Sequence, residues 1–207
     1  MNDVAFYFET GWHHIISWSA LDHILFIIAL SAIYLTQNWK QVLVLVTAFT
    51  IGHSLTLALS VYDIIRINEK WVEFLIPCTI VFTAISNLFQ KTFTTKAIRI
   101  NYFLALLFGL IHGLAFATFL KMILAGDQSF VLSWISFSVG LEAGQILIVF
   151  LILLLAQVFV QWLRLNRRFW VILISVTVAA FAIKMAVERW PLKDKKRGAM
   201  NIENKMM

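Results

Sequence analysis

The sequence is poor in charged residues, proline and cysteine. Only 14% of its 207 residues are Asp, Glu, Lys or Arg, and it has two prolines and one cysteine, Cys78. A lone cysteine excludes an internal disulfide, and few prolines without a Ser/Gly-rich stretch leave no obvious flexible linker. Hydrophobic residues make up 61% of the chain, more than a soluble domain of this size can hide from water. We therefore expect one integral membrane domain.

Hydrophobic runs of about 20 residues recur along nearly the whole chain, which is the pattern of transmembrane helices. They predict an all-α integral membrane protein, with a bundle of six or seven transmembrane helices across residues 15–188. Residues 1–14 are too few to cross and are expected at the membrane interface, and the basic tail at 189–207 is expected to be disordered. The six predicted spans cover residues 15–36, 41–62, 70–89, 100–124, 130–161 and 168–188.

Basic residues outnumber acidic ones and give a formal net charge of +6. They lie in short loops and in the tail, where they orient helices and contact anionic lipid, so we expect lipid-bilayer contact and no nucleic-acid binding. The positive-inside rule places the basic loops at 90–99 and 164–168 in the cytoplasm. The basic tail falls on the opposite side of a six-span chain, so the number of spans stays open.

Four groups of ionisable residues stand within hydrophobic segments: Asp22-His23, His53, His112 and Glu142. A carboxylate or imidazole at bilayer depth is costly, so each one marks a functional site by default. Imidazoles together with carboxylates are ligands that a divalent transition metal prefers. No single helix carries a complete ligand set, so such a site has to form between helices. A lone intramembrane histidine can also serve only as an interhelical hydrogen-bond donor.

Helix geometry limits which of these residues can meet. His14 lies eight residues before Asp22, about 12 Å away along a continuous helix, so the two cannot bind one ion unless the chain breaks between them. Ser17, Ser19 and Ala20 permit a bend at this point.

Two pairs of glycines, Gly109 with Gly113 and Gly140 with Gly144, have the G-x-x-x-G spacing of closely packed transmembrane helices. Such packing is expected to bring His112 and Glu142 within coordination reach. The fifth span is too long for a perpendicular helix, and its two glycines are the expected flexion points.

Four motifs are specific in combination. They read HIISWSALDHILFIIAL at 14–30, TAFTIGHSLTLAL at 47–59, FGLIHGLAF at 108–116 and FSVGLEAGQ at 137–145. Together they resemble the HupE/UreJ family of hydrogenase- and urease-accessory membrane proteins, in particular its compact branch from Bacteroidota. The resemblance implies a multi-pass protein of the bacterial inner membrane with nickel or cobalt uptake. By position it also implies six metal-handling residues, namely His14, Asp22, His23, His53, His112 and Glu142. Ala20 and Ala115 depart from the family pattern, since glycine is common at both places.

The leading hypothesis is a secondary permease for a divalent transition metal, nickel or cobalt, rather than an enzyme. The membrane potential supplies about 4.6 kcal/mol per 100 mV to a +2 ion, and the sequence has no P-loop for ATP. One alternative is a membrane-embedded zinc-dependent hydrolase, in which the same residues hold a catalytic zinc ion. The other is a non-catalytic membrane subunit or assembly factor, whose polar groups only pack helices. A homo-oligomer or a membrane partner protein is compatible with each of these functions.

Overall fold

The computed structural model describes residues 3–90, 95–124 and 130–191, and within these ranges the chain is helical and contains no strand. Seven α-helices follow one another there: α1 Asp3–Ile16, α2 Leu21–Ser31, α3 Trp39–Val61, α4 Glu69–Phe89, α5 Thr95–Leu124, α6 Phe130–Ala156 and α7 Arg167–Glu188. The expected all-α class is confirmed. Most of the tail predicted to be disordered, from residue 192 onward, lies outside the described residues.

Several of these helices are long and apolar enough to cross a membrane. Four segments of the described chain meet this condition: Thr36–Val61, Glu69–Phe89, Phe130–Trp162 and Arg167–Glu188. The bent pair α1 and α2 adds a fifth if it is counted as one span. In α5 the apolar stretch is shorter, Asn101–Phe116. Length and composition thus support a membrane protein with four or five spans, and the six or seven predicted spans are not established.

The predicted first span, residues 15–36, is not one helix. Ser17 is extended (φ −76°, ψ 150°), a short 3-10 turn follows at Trp18–Ala20, and the axes of α1 and α2 differ by 70°. The Ser17 N–H still donates to the His13 carbonyl oxygen at 3.1 Å, but the extended backbone of Ser17 ends the helix there, and serine competes locally for backbone partners. The bend that the two serines permit is therefore present, although Ala20 replaces the common glycine.

Close approach between α3 and α5 depends on glycine. A Cβ built on Gly52 would overlap the Leu106 carbonyl oxygen, and one built on Gly109 would overlap the Phe49 carbonyl oxygen. A Cβ on Gly113 would overlap the His53 carbonyl oxygen, four residues further along both helices than the contact of Gly109 with Phe49, so the two helices run parallel. The first G-x-x-x-G pair therefore packs α5 against α3, and not against α6 as expected.

The second pair packs α6 against α1. A Cβ on Gly140 would overlap the carbonyl oxygen of Phe8, whereas one on Gly144 would lie 3.2 Å from the Ile15 side chain. α6 remains α-helical through both glycines, and flexion at these two positions stays a prediction. The long segment departs from α geometry in a π-helix at Gln157–Trp162. Residues 3–14 belong to this α1–α6 contact, and their place at the membrane interface stays a prediction.

Candidate metal centre

Four histidines from four helices converge inside the bundle: His14 from α1, His23 from α2, His53 from α3 and His112 from α5. The ring centroids of His23 lie 4.8 Å from His14, 5.6 Å from His53 and 5.1 Å from His112. His14, His23 and His53 each offer a ring nitrogen within 4.8 Å of the other two. Small movements of these side chains would bring three nitrogens to the roughly 2 Å distance at which imidazoles bind a metal ion.

The nitrogens of these rings are buried without partners. His53 and His112 are fully buried, with 0% exposure. Five nitrogens have no hydrogen-bond partner within the described part of the chain: His14 Nε2, His23 Nε2, both ring nitrogens of His53, and His112 Nε2. A buried polar atom without a partner costs about 1–3 kcal/mol, so a cluster of five requires an explanation. A cation bound by nitrogen lone pairs provides one, and the set fits a transition metal.

Two of the four rings are oriented by a hydrogen bond on Nδ1, while their Nε2 has no partner among the described residues. His23 Nδ1 lies 2.9 Å from Asp22 Oδ1, and His112 Nδ1 lies 2.8 Å from the Phe108 carbonyl oxygen. When Nδ1–H donates to these oxygens, each Nε2 keeps its lone pair for a ligand. Metal-binding histidines are characteristically held in this way.

Asp22 supports the site through His23. Its Oδ1 accepts from both the ring and the backbone nitrogen of His23, each at 2.9 Å, and its Oδ2 accepts from Arg189 Nη1 at 3.0 Å. Sequence reasoning placed Asp22 among the metal-handling residues but missed Arg189, which was assigned to the basic tail. The two residues are 167 positions apart, and nothing local in the sequence pairs them.

Glu142 lies apart from the histidines. Its Oε1 accepts from Thr47 Oγ1 at 2.6 Å, and its side chain lines a groove of about 350 Å³ between α3 and α6 together with Ser54 and Ser138. The expected meeting of Glu142 with His112 is absent, because α6 turns its glycine face to α1. Five of the six predicted residues therefore come together, and a metal role for Glu142 stays a prediction.

A cavity of about 210 Å³ borders the histidine centre on the side of Arg189. Its lining is His14, Ala20, Asp22, His23, Ile76, His112, Ala115 and Phe116. The small Ala20 and Ala115 leave this space next to the rings. The break between α1 and α2 makes the histidine centre possible, because it lets His14 and His23 face the same point from two directions.

These features define a multi-helix membrane protein with a buried imidazole centre, a class in which intramembrane ionisable groups mark an ion or substrate pathway. A family model described as "HupE / UreJ protein" matches residues 1–189, and the chain belongs to the HupE/UreJ family. The family resemblance carried by the four motifs is thus confirmed, and the Bacteroidota branch stays a prediction. Searches of curated proteins and of solved structures gave no match. Family membership and the histidine cluster together indicate a nickel- or metal-related accessory or transport role.

Proposed function

We propose that the protein is a permease for a divalent transition-metal ion of the nickel or cobalt type, and that the ion crosses the bilayer by way of the four histidines. One observation carries this proposal: five imidazole nitrogens are buried together without partners. Histidines that only joined helices by hydrogen bonds would have partners at these atoms, as the Nδ1 of His112 has within α5 at the Phe108 carbonyl oxygen. A binding site for a passing cation requires them to be left open.

The donors favour borderline metals over hard ones. A histidine binds a metal ion through a lone pair of its neutral imidazole, and the charge of Asp22 is balanced by Arg189. Nickel, cobalt and zinc bind imidazole well, whereas magnesium and calcium prefer shells made of oxygen. The donor set therefore supports a nickel- or cobalt-type substrate and does not distinguish between these two metals.

An aromatic layer separates the centre from the opposite end of the bundle. Phe26 and Phe49 are nearly fully buried, with ring centroids 4.9 Å apart, and their centroids lie 5.4 Å and 5.1 Å from that of His112. Phe108 continues the layer and borders a small cavity toward Asn101. The predicted cytoplasmic position of the loop at 164–168 places the cavity beside Asp22 on the outer side and the small cavity beside Asn101 on the inner side. An ion in the centre would then be in contact with the outer cavity, and the aromatic layer would separate it from the inner cavity.

A metal-binding experiment tests the proposal. Purified protein in detergent is titrated with Ni²⁺ and Co²⁺, and metal uptake is measured in cells that produce the same variants. His23→Ala is expected to lose binding and uptake while it remains in the membrane. His13→Ala is the matched control, since His13 is the exposed neighbour of His14 and lies outside the cluster. Equal binding and uptake in wild type and His23→Ala would reject the permease.

The same preparation separates transport from catalysis. A permease has to release its ion, so the site must not hold it too tightly. Stoichiometric zinc that survives washing with a chelator would instead favour the membrane-embedded hydrolase. A protein that binds no metal and purifies with a stable partner would favour an assembly factor.

A further inference from the structure

Arg189 connects the end of the last described helix to the histidine centre. It follows α7 directly, and its Nη1 lies 3.0 Å from Asp22 Oδ2 at the start of α2. The side chain of Asp22 is only 11% exposed and that of Arg189 is 31% exposed, so this ion pair is shielded better than one on a protein surface. Its position at the rim of the metal centre suggests a role beyond joining two helices.

The pair determines which atoms an incoming ion can reach. Asp22 borders the same cavity as His14, His23 and His112. Its carboxylate would be a strong ligand for a dication, but Oδ1 is bound to His23 and Oδ2 to Arg189. Oδ1 thus accepts two hydrogen bonds and Oδ2 one from the guanidinium, whereas the ring nitrogens beside the cavity have no partner among the described residues.

We propose that Arg189 is a specificity-determining positioning residue. It holds Asp22 Oδ2 away from the ion and thereby keeps the donor set free of carboxylate oxygen. This inference rests on the proposed metal site and adds the reason for its selectivity. An all-nitrogen set disfavours ions such as Mn²⁺ and Mg²⁺, which prefer carboxylates and water, relative to Ni²⁺. Freeing Oδ2 would add an anionic oxygen to the donor set and would reduce the difference in affinity between Ni²⁺ and these harder ions.

The test compares the dissociation constants of Ni²⁺ and Mn²⁺ for the full-length protein in detergent. In Arg189→Met the charge and the donors are lost while most of the apolar stem remains. We expect Mn²⁺ affinity to rise relative to Ni²⁺ by about tenfold, the lower end of the effect of changing a group next to metal ligands. Lys184→Met is the control, because it removes a positive charge from α7, close to Arg189 in the chain. The partner of Lys184 is the exposed Glu188 at 3.9 Å. The control is expected to keep the wild-type ratio.

Two more variants separate charge placement from a general loss of structure. Arg189→Lys retains a donor for Oδ2 and is expected to restore most of the wild-type ratio. Asp22→Asn combined with Arg189→Met removes the carboxylate and is expected to abolish the gain in Mn²⁺ affinity. If Arg189→Met does not fold, Arg189→Ala is measured in its place. The same change in the ratio of the Mn²⁺ and Ni²⁺ dissociation constants is expected.

The possible results separate this inference from the metal site itself. If wild type binds Ni²⁺ and Arg189→Met binds both ions with the wild-type ratio, the role of Arg189 is refuted and the histidine centre stands. A gain in Mn²⁺ affinity that persists in the double variant also refutes the role of Arg189, because the Asp22 carboxylate would not be the source of that gain. If wild-type protein binds neither ion, the proposed permease fails and this inference fails with it.

Discussion

Replacing Asp22 by Asn tests how the centre is built while leaving every imidazole in place. The carboxylate accepts three hydrogen bonds, two from His23 at 2.9 Å and one from Arg189 at 3.0 Å. An amide of the same shape still offers one oxygen to His23, but the bond loses its ionic contribution and the NH₂ group faces the guanidinium. Charge-assisted hydrogen bonds are roughly twice as strong as neutral ones.

The size of the effect follows from the role of the carboxylate. Loss of a group that orients a metal-binding histidine lowers metal affinity about 10–100-fold, which equals about 1.4–2.8 kcal/mol. We therefore expect the dissociation constant for Ni²⁺ to rise within this range and binding to remain measurable. The fold should also lose stability because Arg189 is left without its partner. Its 31% exposure keeps that loss below the about 3–5 kcal/mol of a fully buried broken pair.

Calorimetric titration of purified protein with Ni²⁺ measures the change in the dissociation constant, and thermal unfolding measures the loss of stability. Asp63→Asn is the matched control, because Asp63 also pairs with an arginine, Arg66 at 3.4 Å, but is exposed. It should change neither quantity by much. A wild-type dissociation constant in Asp22→Asn would show that the carboxylate does not orient His23 for metal binding, and the reasoning would be wrong.

Three further outcomes are expected. His112→Ala should weaken Ni²⁺ binding more than Asp22→Asn does, because it removes a ring nitrogen itself. Glu142→Gln should leave the Ni²⁺ affinity of purified protein unchanged, and a loss comparable to that of His112→Ala would place Glu142 in the centre. Gly140→Ala should lower the free energy of unfolding by about 1–3 kcal/mol, since its Cβ would overlap the Phe8 carbonyl. Gly144→Ala should cost less, since its nearest contact is with side-chain atoms at 3.2 Å, and equal unfolding temperatures would contradict this.

The burial of the histidines could be predicted from the sequence, whereas the direction in which a side chain leaves its helix could not. His53 and His112 stand within apolar segments, so their burial inside the bundle followed from the cost of an imidazole in lipid. Which side of its helix Glu142 faces depends on how α6 is rotated. Because α6 is apolar on nearly every side, its sequence does not indicate which face meets α3 and which meets α1. Glu142 was therefore expected in the centre but lies in the groove beside Thr47.

The break in the first span was partly predictable. A continuous helix would have kept His14 about 12 Å from Asp22, so their shared role required a bend, and Ser17 and Ser19 lie where it occurs. The pairing of Asp22 with Arg189 could not be predicted, since it joins the beginning and the end of the bundle. Such a contact depends on how α2 and α7 pack, and packing between distant helices leaves no periodic signal in either one.

Charge balance links the architecture of the centre to transport. At 4 Å and an effective dielectric constant of 20, a dication and one uncompensated carboxylate attract each other by about 8 kcal/mol. The membrane potential supplies a +2 ion with only about 4.6 kcal/mol per 100 mV. A free Asp22 carboxylate would therefore hold the ion more strongly than the potential can draw it inward. Arg189 compensates that charge at 3.0 Å, so neutral imidazoles are left to bind an ion that they can also release.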